Sequence, residues 1–164
     1  MNGERILVPL SLEQGSFDGL EFVAGLAGEM PVCATLLYVN HLNISPPDRR
    51  VYDDLRRESE WRLRALAKLF FDGQLPHVCV RLGEPHEEIL AEAEAGQAEL
   101  IVMASPKSAR RRWRLRPTTV EYVIRKAPCL TLVLPRTWKI TAELHRRAMR
   151  PTAVASRQPD LSYP

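Results

Sequence analysis

Apolar residues fall into two alternating patterns along the chain. Short, nearly continuous apolar runs of strand length occur at Arg5–Leu10, Val32–Val39, Pro76–Leu82, Leu100–Ala104 and Cys129–Leu134. Between them, apolar residues recur every three or four positions and predict four helices, at Phe17–Met30, Val51–Phe71, His86–Ala95 and Thr118–Lys126. Strands that are apolar on both faces are typical of a parallel sheet that helices cover on each side.

Local signals mark where the helices begin and which side they bury. Ser16 is expected to cap the first helix and Pro31 to end it, while Pro85 opens the third helix and Gly96 ends it. On the second helix we expect a core-facing side made of Leu55, Ser59, Leu66 and Phe70, with either Arg62 or Leu63 between them.

The regular alternation of strands and helices predicts an α/β fold with one open, five-stranded parallel sheet and helices on both faces. We expect the strand order 3-2-1-4-5, with the switch point between strands 1 and 4, where ligands bind outside the carboxyl ends of the strands. This domain should cover residues 1–135. Residues 136–164 form a basic extension, for which we expect a short helix over Arg136–Met149 and then a flexible tail.

Composition excludes several classes of protein. Hydrophobic residues make up 45% and charged residues 26% of the chain, as in a globular protein. No apolar run approaches the roughly 20 residues of a membrane span, and the N-terminus lacks the pattern of a signal peptide. We therefore expect a cytoplasmic protein that does not cross a membrane. Its separated cysteines, Cys33, Cys79 and Cys129, are expected to be small buried residues rather than a metal or redox site.

Charge is distributed unevenly between the two parts of the chain. Residues 1–104 carry 9 Lys and Arg against 17 Asp and Glu, a net charge of −8. Residues 105–164 carry 14 Lys and Arg against 3 Asp and Glu, a net charge of +11. This asymmetry indicates an anionic partner for the second part, or association between parts of opposite sign.

Three stretches lie in order along the chain: Ile6–Ser11, Gly83–Leu90 followed by Ala98–Ala104, and Val123–Leu134. Together they resemble the universal stress protein family. Ile6–Ser11 (ILVPLS) is similar to that family's opening strand, I-L-V-P-x-D. Gly83–Leu90 followed by Ala98–Ala104 is similar to its G-x-P, helix, A-D-L-I-V-M-G stretch. Val123–Leu134 is similar to its V-x-R-x-A-P-C-P-V-L-V-V ending. The resemblance covers about residues 4–135 and implies a Rossmann-like sheet of the adenine nucleotide alpha hydrolase type.

The resemblance also implies a nucleotide pocket, but its phosphate loop is altered. ATP-binding members carry G-x2-G-x9-G-(S/T), because glycines let backbone N–H groups approach phosphates. Here the three glycine positions are Ala104, Lys107 and Pro117, and only the closing hydroxyl residue, Thr118, remains. The family's acidic residue at the end of strand 1 is Ser11. The candidate pocket therefore consists of Pro9, Ser11, Val39, Met103, Ala104, Lys107, Pro117 and Thr118.

Two functions are consistent with this altered pocket. The first is a non-catalytic regulatory or interaction module for the stress response, without tight ATP binding. The second is an ATP- or AMP-binding stress protein whose phosphate loop is rebuilt from the side chains of Lys107 and Arg110. The loss of three glycines and of the acidic residue favours the first. No cofactor is therefore assigned.

The segment Lys107–Arg116 holds six basic residues among ten, one tryptophan and no acidic residue. Its candidate partner-binding residues are Lys107, Arg110, Arg111, Arg112, Trp113, Arg114 and Arg116. An acidic protein or an anionic lipid surface is a candidate partner. Nucleic acid is disfavoured, because binding single strands normally requires several stacking aromatic residues.

Neither a catalytic site nor a metal site is indicated by the sequence. Common nucleophile, phosphate-loop and zinc motifs are absent, so we expect no enzyme activity. His86 with Glu87 and Glu88 is better explained as the first turn of a helix, where acidic residues are favourable. The last strand is an apolar edge strand, and the resembled family commonly dimerises through it. We expect a homodimer through Leu130, Leu132, Val133 and Leu134.

Overall fold

The computed structural model describes residues 3–12, 17–41, 49–105, 117–135 and 138. In chain order the elements are β1 (Glu4–Leu10), α1 (Asp18–Ala27), β2 (Val32–Asn40), α2 (Arg49–Phe70), β3 (His77–Leu82), α3 (Pro85–Ala95), β4 (Leu100–Ala104), α4 (Thr119–Lys126) and β5 (Leu130–Leu134). The nine predicted elements are therefore confirmed, with bounds that differ by up to three residues.

The five strands form one parallel sheet in the order β3-β2-β1-β4-β5. This confirms the predicted fold class and strand order. The register pairs Leu7 of β1 with Thr35 of β2 and with Ile101 of β4, so the three central strands stay aligned. Because all strands run in the same direction, their carboxyl ends meet at one edge of the sheet and their amino ends at the other.

A core packs against each face of the sheet. One cluster joins β-strand residues such as Val8 and Leu36 to Leu20 of α1 and Leu63 of α2. The other cluster joins strand residues that point to the opposite face, such as Leu7 and Leu37, to Ile89 of α3 and Val123 of α4. Helices α1 and α2 thus cover one face, and α3 and α4 cover the other. This explains why the strands are apolar on both sides.

Helix α2 buries the side that its pattern predicts. Ser59, Leu63 and Ala67 are buried, and Leu55, Leu66 and Phe70 are partly buried. Arg62 is exposed, where it pairs with Glu58 at 2.6 Å. The choice between Arg62 and Leu63 is therefore settled in favour of Leu63, because a charged side chain in this core would lose its hydration.

The predicted cap of the first helix is wrong. Helix α1 begins at Asp18 with Phe17 in the N-cap position, and the Phe17 side chain makes no capping hydrogen bond. Phe17 packs against Phe70 of α2, with ring centroids 6.3 Å apart, so an aromatic contact fixes the entry of the chain. Ser16 itself lies outside the described residues. The helix also ends earlier than predicted, at Ala27.

The expectation of three buried cysteines is wrong as well. Cys33 is exposed, and Cys79 and Cys129 are only partly buried. Cys33 lies at the amino end of β2, where it borders an open cavity at the edge of the sheet. Cys33 therefore has apolar neighbours in the sequence but is not buried, because the end of a strand extends beyond the helices that cover the sheet.

Beyond Pro135, Trp138 is the one described residue, and its ring meets Phe22 of α1 edge-on at 6.0 Å. The rest of the predicted helix over Arg136–Met149 and the tail after it lie outside the described residues. Among the helices that are described, none has the length and apolar character needed to span a membrane.

Candidate functional site

The carboxyl edge of the sheet brings together the predicted pocket residues that the structure describes. Each of three residues is the last but one of its strand: Pro9 in β1, Val39 in β2 and Met103 in β4. Val39 and Met103 belong to the core under α3 and α4. Pro9 points to the same face, because it is two residues beyond Leu7 and strand side chains alternate. Pro9, Val39 and Met103 therefore share one face of the sheet near its carboxyl edge.

The other described pocket residues follow a strand, end a strand or precede α4. Ser11 follows β1 directly, and Ala104 ends β4; both are partly buried. Pro117 is exposed, and Thr118 occupies the N-cap position of α4. Lys107 and the rest of the predicted partner-binding segment, residues 107–116, lie outside the described residues.

Thr118 forms a capping box with Glu121 at the start of α4. The Glu121 carboxylate accepts hydrogen bonds from the Thr118 N–H at 2.8 Å and from the Thr118 hydroxyl at 3.1 Å. In return, the Glu121 N–H donates to the Thr118 hydroxyl oxygen at 3.3 Å. Both polar groups of Thr118 that could face a ligand are therefore bonded within the helix terminus.

This arrangement changes the electrostatics of the helix terminus. An uncapped N-terminus has unpaired N–H groups and a partial positive charge, so it attracts anions. Here the Glu121 carboxylate already accepts a hydrogen bond from the N–H of Thr118, the residue just before α4. The residue before Thr118 is Pro117, which has no N–H to donate. The terminus that the resemblance assigns to phosphate thus carries its own negative charge.

The loop from β3 into α3 forms a second corner of the carboxyl edge. Gly83 has a φ of +149°, and a Cβ at this residue would lie 2.8 Å from Oε1 of Glu88. Only glycine adopts this backbone without strain, which accounts for the first residue of the G-x-P motif. His41, just after β2, lies 3.4 Å through Nδ1 from the Gly83 carbonyl oxygen and 3.4 Å from Oε1 of Glu84.

A charged network holds α3 to the neighbouring edge strand β3. The Arg81 guanidinium contacts Glu92 at 2.6 Å and Glu88 at 3.2 Å. Burial lowers the pKa of Arg81, but its hydrogen bonds to Glu92 and Glu88 outweigh this effect and raise the pKa overall. Cys79 lies 3.5 Å from the Glu92 carboxylate, and burial followed by this negative charge raises the pKa of its thiol. Cys79 is therefore kept as a neutral thiol.

Two cavities lie at the opposite, amino edge of the sheet. One of about 440 Å³ is bordered by Arg5, Cys33 and His77, and one of about 360 Å³ is bordered by Met30 and Phe70. Neither includes a predicted pocket residue. The register of the strands and the motif positions, rather than cavity volume, therefore locate the candidate site at the carboxyl edge.

Sequence reasoning missed two features of this region. The capping box had a visible signal, because Thr118 and Glu121 have the T-x-x-E spacing of such a motif. The Arg81 network had no local signal, since Arg81 and Glu92 are eleven positions apart on different elements. His86, interpreted as part of an ordinary helix start, packs against Tyr122 of α4, with ring centroids 4.2 Å apart and the ring planes tilted by 53°.

The predicted dimer residues lie on β5, which is an edge strand of the sheet. Leu130 is 76% exposed, Leu132 and Val133 are partly buried, and Leu134 is buried in the core. Within the described segments, no group of three His, Cys, Asp or Glu side chains could hold a metal ion.

Comparison with protein-family models gives a match to the universal stress protein family over residues 3–135. A comparison with curated proteins gave no match.

Solved structures share the fold. A universal stress protein UspA from Lactobacillus plantarum is 18% identical with a TM-score of 0.62, and the alignment covers 81% of this chain and 98% of that one. A universal stress protein family member from Burkholderia pseudomallei is 24% identical with a TM-score of 0.60, covering 80% and 96%. A universal stress protein in complex with cAMP is 15% identical with a TM-score of 0.59, covering 82% and 98%.

Proposed function

The chain belongs to the universal stress protein family, and we propose that it is a cytoplasmic, non-catalytic regulatory module that does not bind ATP tightly. Its function would then depend on contacts with other proteins rather than on turnover of a nucleotide. The capping box at the start of α4 is the observation that carries this proposal.

The capping box opposes a phosphate group directly. A phosphate that approached the hydroxyl or the N–H of Thr118 would have to displace the Glu121 carboxylate or lie next to it. Two unit charges of the same sign 4 Å apart repel by about 1 kcal/mol in water and by about 4 kcal/mol near a protein surface. Either value lowers affinity, by roughly fivefold to about a thousandfold, since 1.4 kcal/mol is tenfold.

The sequence of the altered loop supports the same conclusion. Where the family's ATP-binding members have glycines, this chain has Ala104, Lys107 and Pro117. A Cβ at such a position blocks the close approach of backbone N–H groups to phosphate. A proline removes the N–H altogether. The side chain of Lys107 would have to compensate for all three changes.

An adenine-nucleotide-binding function is the alternative, and one observation favours it. Pro9 and Val39 match the family's residues at the strand ends, and the fold brings them to one face together with Met103. A similar fold is described in complex with cAMP. In this alternative the nucleoside end of the pocket is kept, and Lys107 and Arg110 bind the phosphates.

Calorimetric titration with ATP separates the two functions. The proposed function predicts no saturable heat at micromolar ATP, for the native chain and for Lys107→Glu alike. Saturable micromolar binding that Lys107→Glu abolishes would establish the alternative instead. Lys126→Glu is the matched control, because it makes the same charge change in the last turn of α4, away from the start of that helix.

We further propose that the module is a homodimer formed by pairing of β5 with β5 of a second copy. An exposed apolar edge strand with unpaired backbone groups favours such pairing. Leu130→Lys should weaken the dimer without damage to the core, since that side chain is 76% exposed. Light scattering that gives a monomer mass at every concentration of the native chain would contradict the dimer.

A further inference from the structure

The second half of α2 carries an exposed apolar ridge with basic neighbours. Trp61, Ala65 and Leu69 follow one another at four-residue spacing and so lie on one side of the helix. Trp61 is 70% exposed and Leu69 is 75% exposed. Arg64 and Lys68 flank them and are also exposed. We call these five residues the α2 ridge. From Trp61 to the end of α2 the helix has no acidic residue, and Glu60, just before Trp61, lies 4.0 Å from the Arg64 guanidinium.

Helix α3, on the other face of the sheet, presents the opposite chemistry. Its exposed residues, together with the residue before it, are Glu84, Glu87, Ala91, Glu94 and Ala95. We call these the α3 acidic face. The helix has no Lys or Arg. Its other two acidic residues, Glu88 and Glu92, are bonded to Arg81 and hold the helix to β3, so they do not belong to this face.

We propose that the α2 ridge of one molecule packs against the α3 acidic face of a second copy of this chain. Trp61 and Leu69 would pack beside the small side chains of Ala91 and Ala95, which allow close approach. Arg64 and Lys68 would meet Glu87 and Glu94. The two surfaces lie on opposite faces of the sheet. When two molecules pair in this way, one of them still has a free α3 acidic face and the other a free α2 ridge. Such a head-to-tail contact adds further copies, in a closed ring or in an open chain.

A second copy fits the ridge better than a flat anionic membrane does. Helix α1 lies beside α2 on the same face, and the exposed Glu29 lies just beyond its end. A bilayer that covered this face would meet this carboxylate as well as the ridge. A single helix such as α3 can contact the ridge without covering α1. The contact area of two short helix segments is small, so the association should be weak and sensitive to salt.

Light scattering of the full chain over a concentration series tests the proposal. The mass should grow with concentration at about 10 mM ionic strength and not at about 1 M, where the screening lengths are roughly 30 Å and 3 Å. Arg64→Glu with Lys68→Glu should weaken this growth about tenfold or more, and so should Glu87→Lys with Glu94→Lys, because attraction becomes repulsion. Mixing the two variants should restore growth, since each supplies the surface that the other lacks.

Two controls accompany this experiment. Arg125→Glu with Lys126→Glu makes the same charge change on exposed residues of α4 and should associate like the native chain. Trp61→Ala should weaken growth without any charge change, and thermal melts show that each variant is folded.

Three outcomes would overturn the proposal. The first is a native chain whose mass does not grow at low salt. The second is loss of growth in the ridge variant but not in the α3 variant. The third is a native chain whose mass does not change with concentration but which binds phosphatidylglycerol vesicles, together with a ridge variant that does not bind them. That result would show that the ridge binds lipid.

Discussion

The capping box at the start of α4 can be tested by a double-mutant cycle. Thr118→Ala removes the acceptor of the Glu121 N–H and one donor to the Glu121 carboxylate. Loss of an N-cap hydroxyl typically costs about 1 kcal/mol of unfolding free energy, with a range of roughly 0.5 to 2. Glu121→Ala removes the acceptor of the 2.8 Å bond from the Thr118 N–H and should cost about 0.5 to 1.5 kcal/mol.

Because the two side chains bond to each other, their effects should not add. Urea unfolding of both single variants and of the double variant should give a coupling free energy of at least about 0.5 kcal/mol. The pair Thr119→Ala and Glu121→Ala is the control, since Thr119 belongs to the first turn but not to the box. Additive losses for Thr118 and Glu121 would show that the capping box does not form in solution. The proposal that the start of α4 does not accept a phosphate group would then lose its main support.

Further consequences concern strain, packing and thiol chemistry. Gly83→Ala should destabilise the fold by about 1 to 3 kcal/mol in urea unfolding, because φ is +149° and the new Cβ meets Glu88. Gly73→Ala, where a Cβ meets nothing within 4 Å, is the control and should be close to neutral. Leu63→Ala should cost about 2 to 5 kcal/mol, since Leu63 is fully buried; a smaller loss would argue against the α2 packing. Alkylation followed by mass spectrometry should label Cys33 before Cys79, and the reverse order would contradict the exposure of Cys33 and the raised pKa of Cys79. The pKa of Cys79 is higher in the folded than in the unfolded chain. Its contribution to the free energy of unfolding is therefore fully present below about pH 8.5 and is lost progressively above it. Cys79→Ala should make the alkaline loss of stability less steep.

The fold could be predicted from the sequence because its strands are buried on both faces. Continuous apolar runs such as Leu100–Ala104 identified strands directly, and that range matches β4 residue for residue. Helix ends were less predictable. Helix α2 begins at Arg49, two residues before the predicted start, because exposed polar residues add no signal to an apolar pattern.

The site could be predicted only in part. Strand ends converge in any parallel sheet, so the positions of Pro9, Val39 and Met103 followed from the strand order. Contacts between elements did not follow. The bonds of Arg81 to Glu88 and Glu92 depend on how α3 settles against β3, and no periodicity encodes that.

The relative affinity of ATP and AMP tests the central claim most directly, because the two ligands differ only in the phosphates that would meet the start of α4. Titration of one preparation of the native chain with each ligand gives both dissociation constants. The account predicts no saturable binding of ATP at micromolar concentration, and ATP affinity no higher than that of AMP. ATP that binds at micromolar concentration and roughly tenfold more tightly than AMP, a difference of about 1.4 kcal/mol, would contradict it.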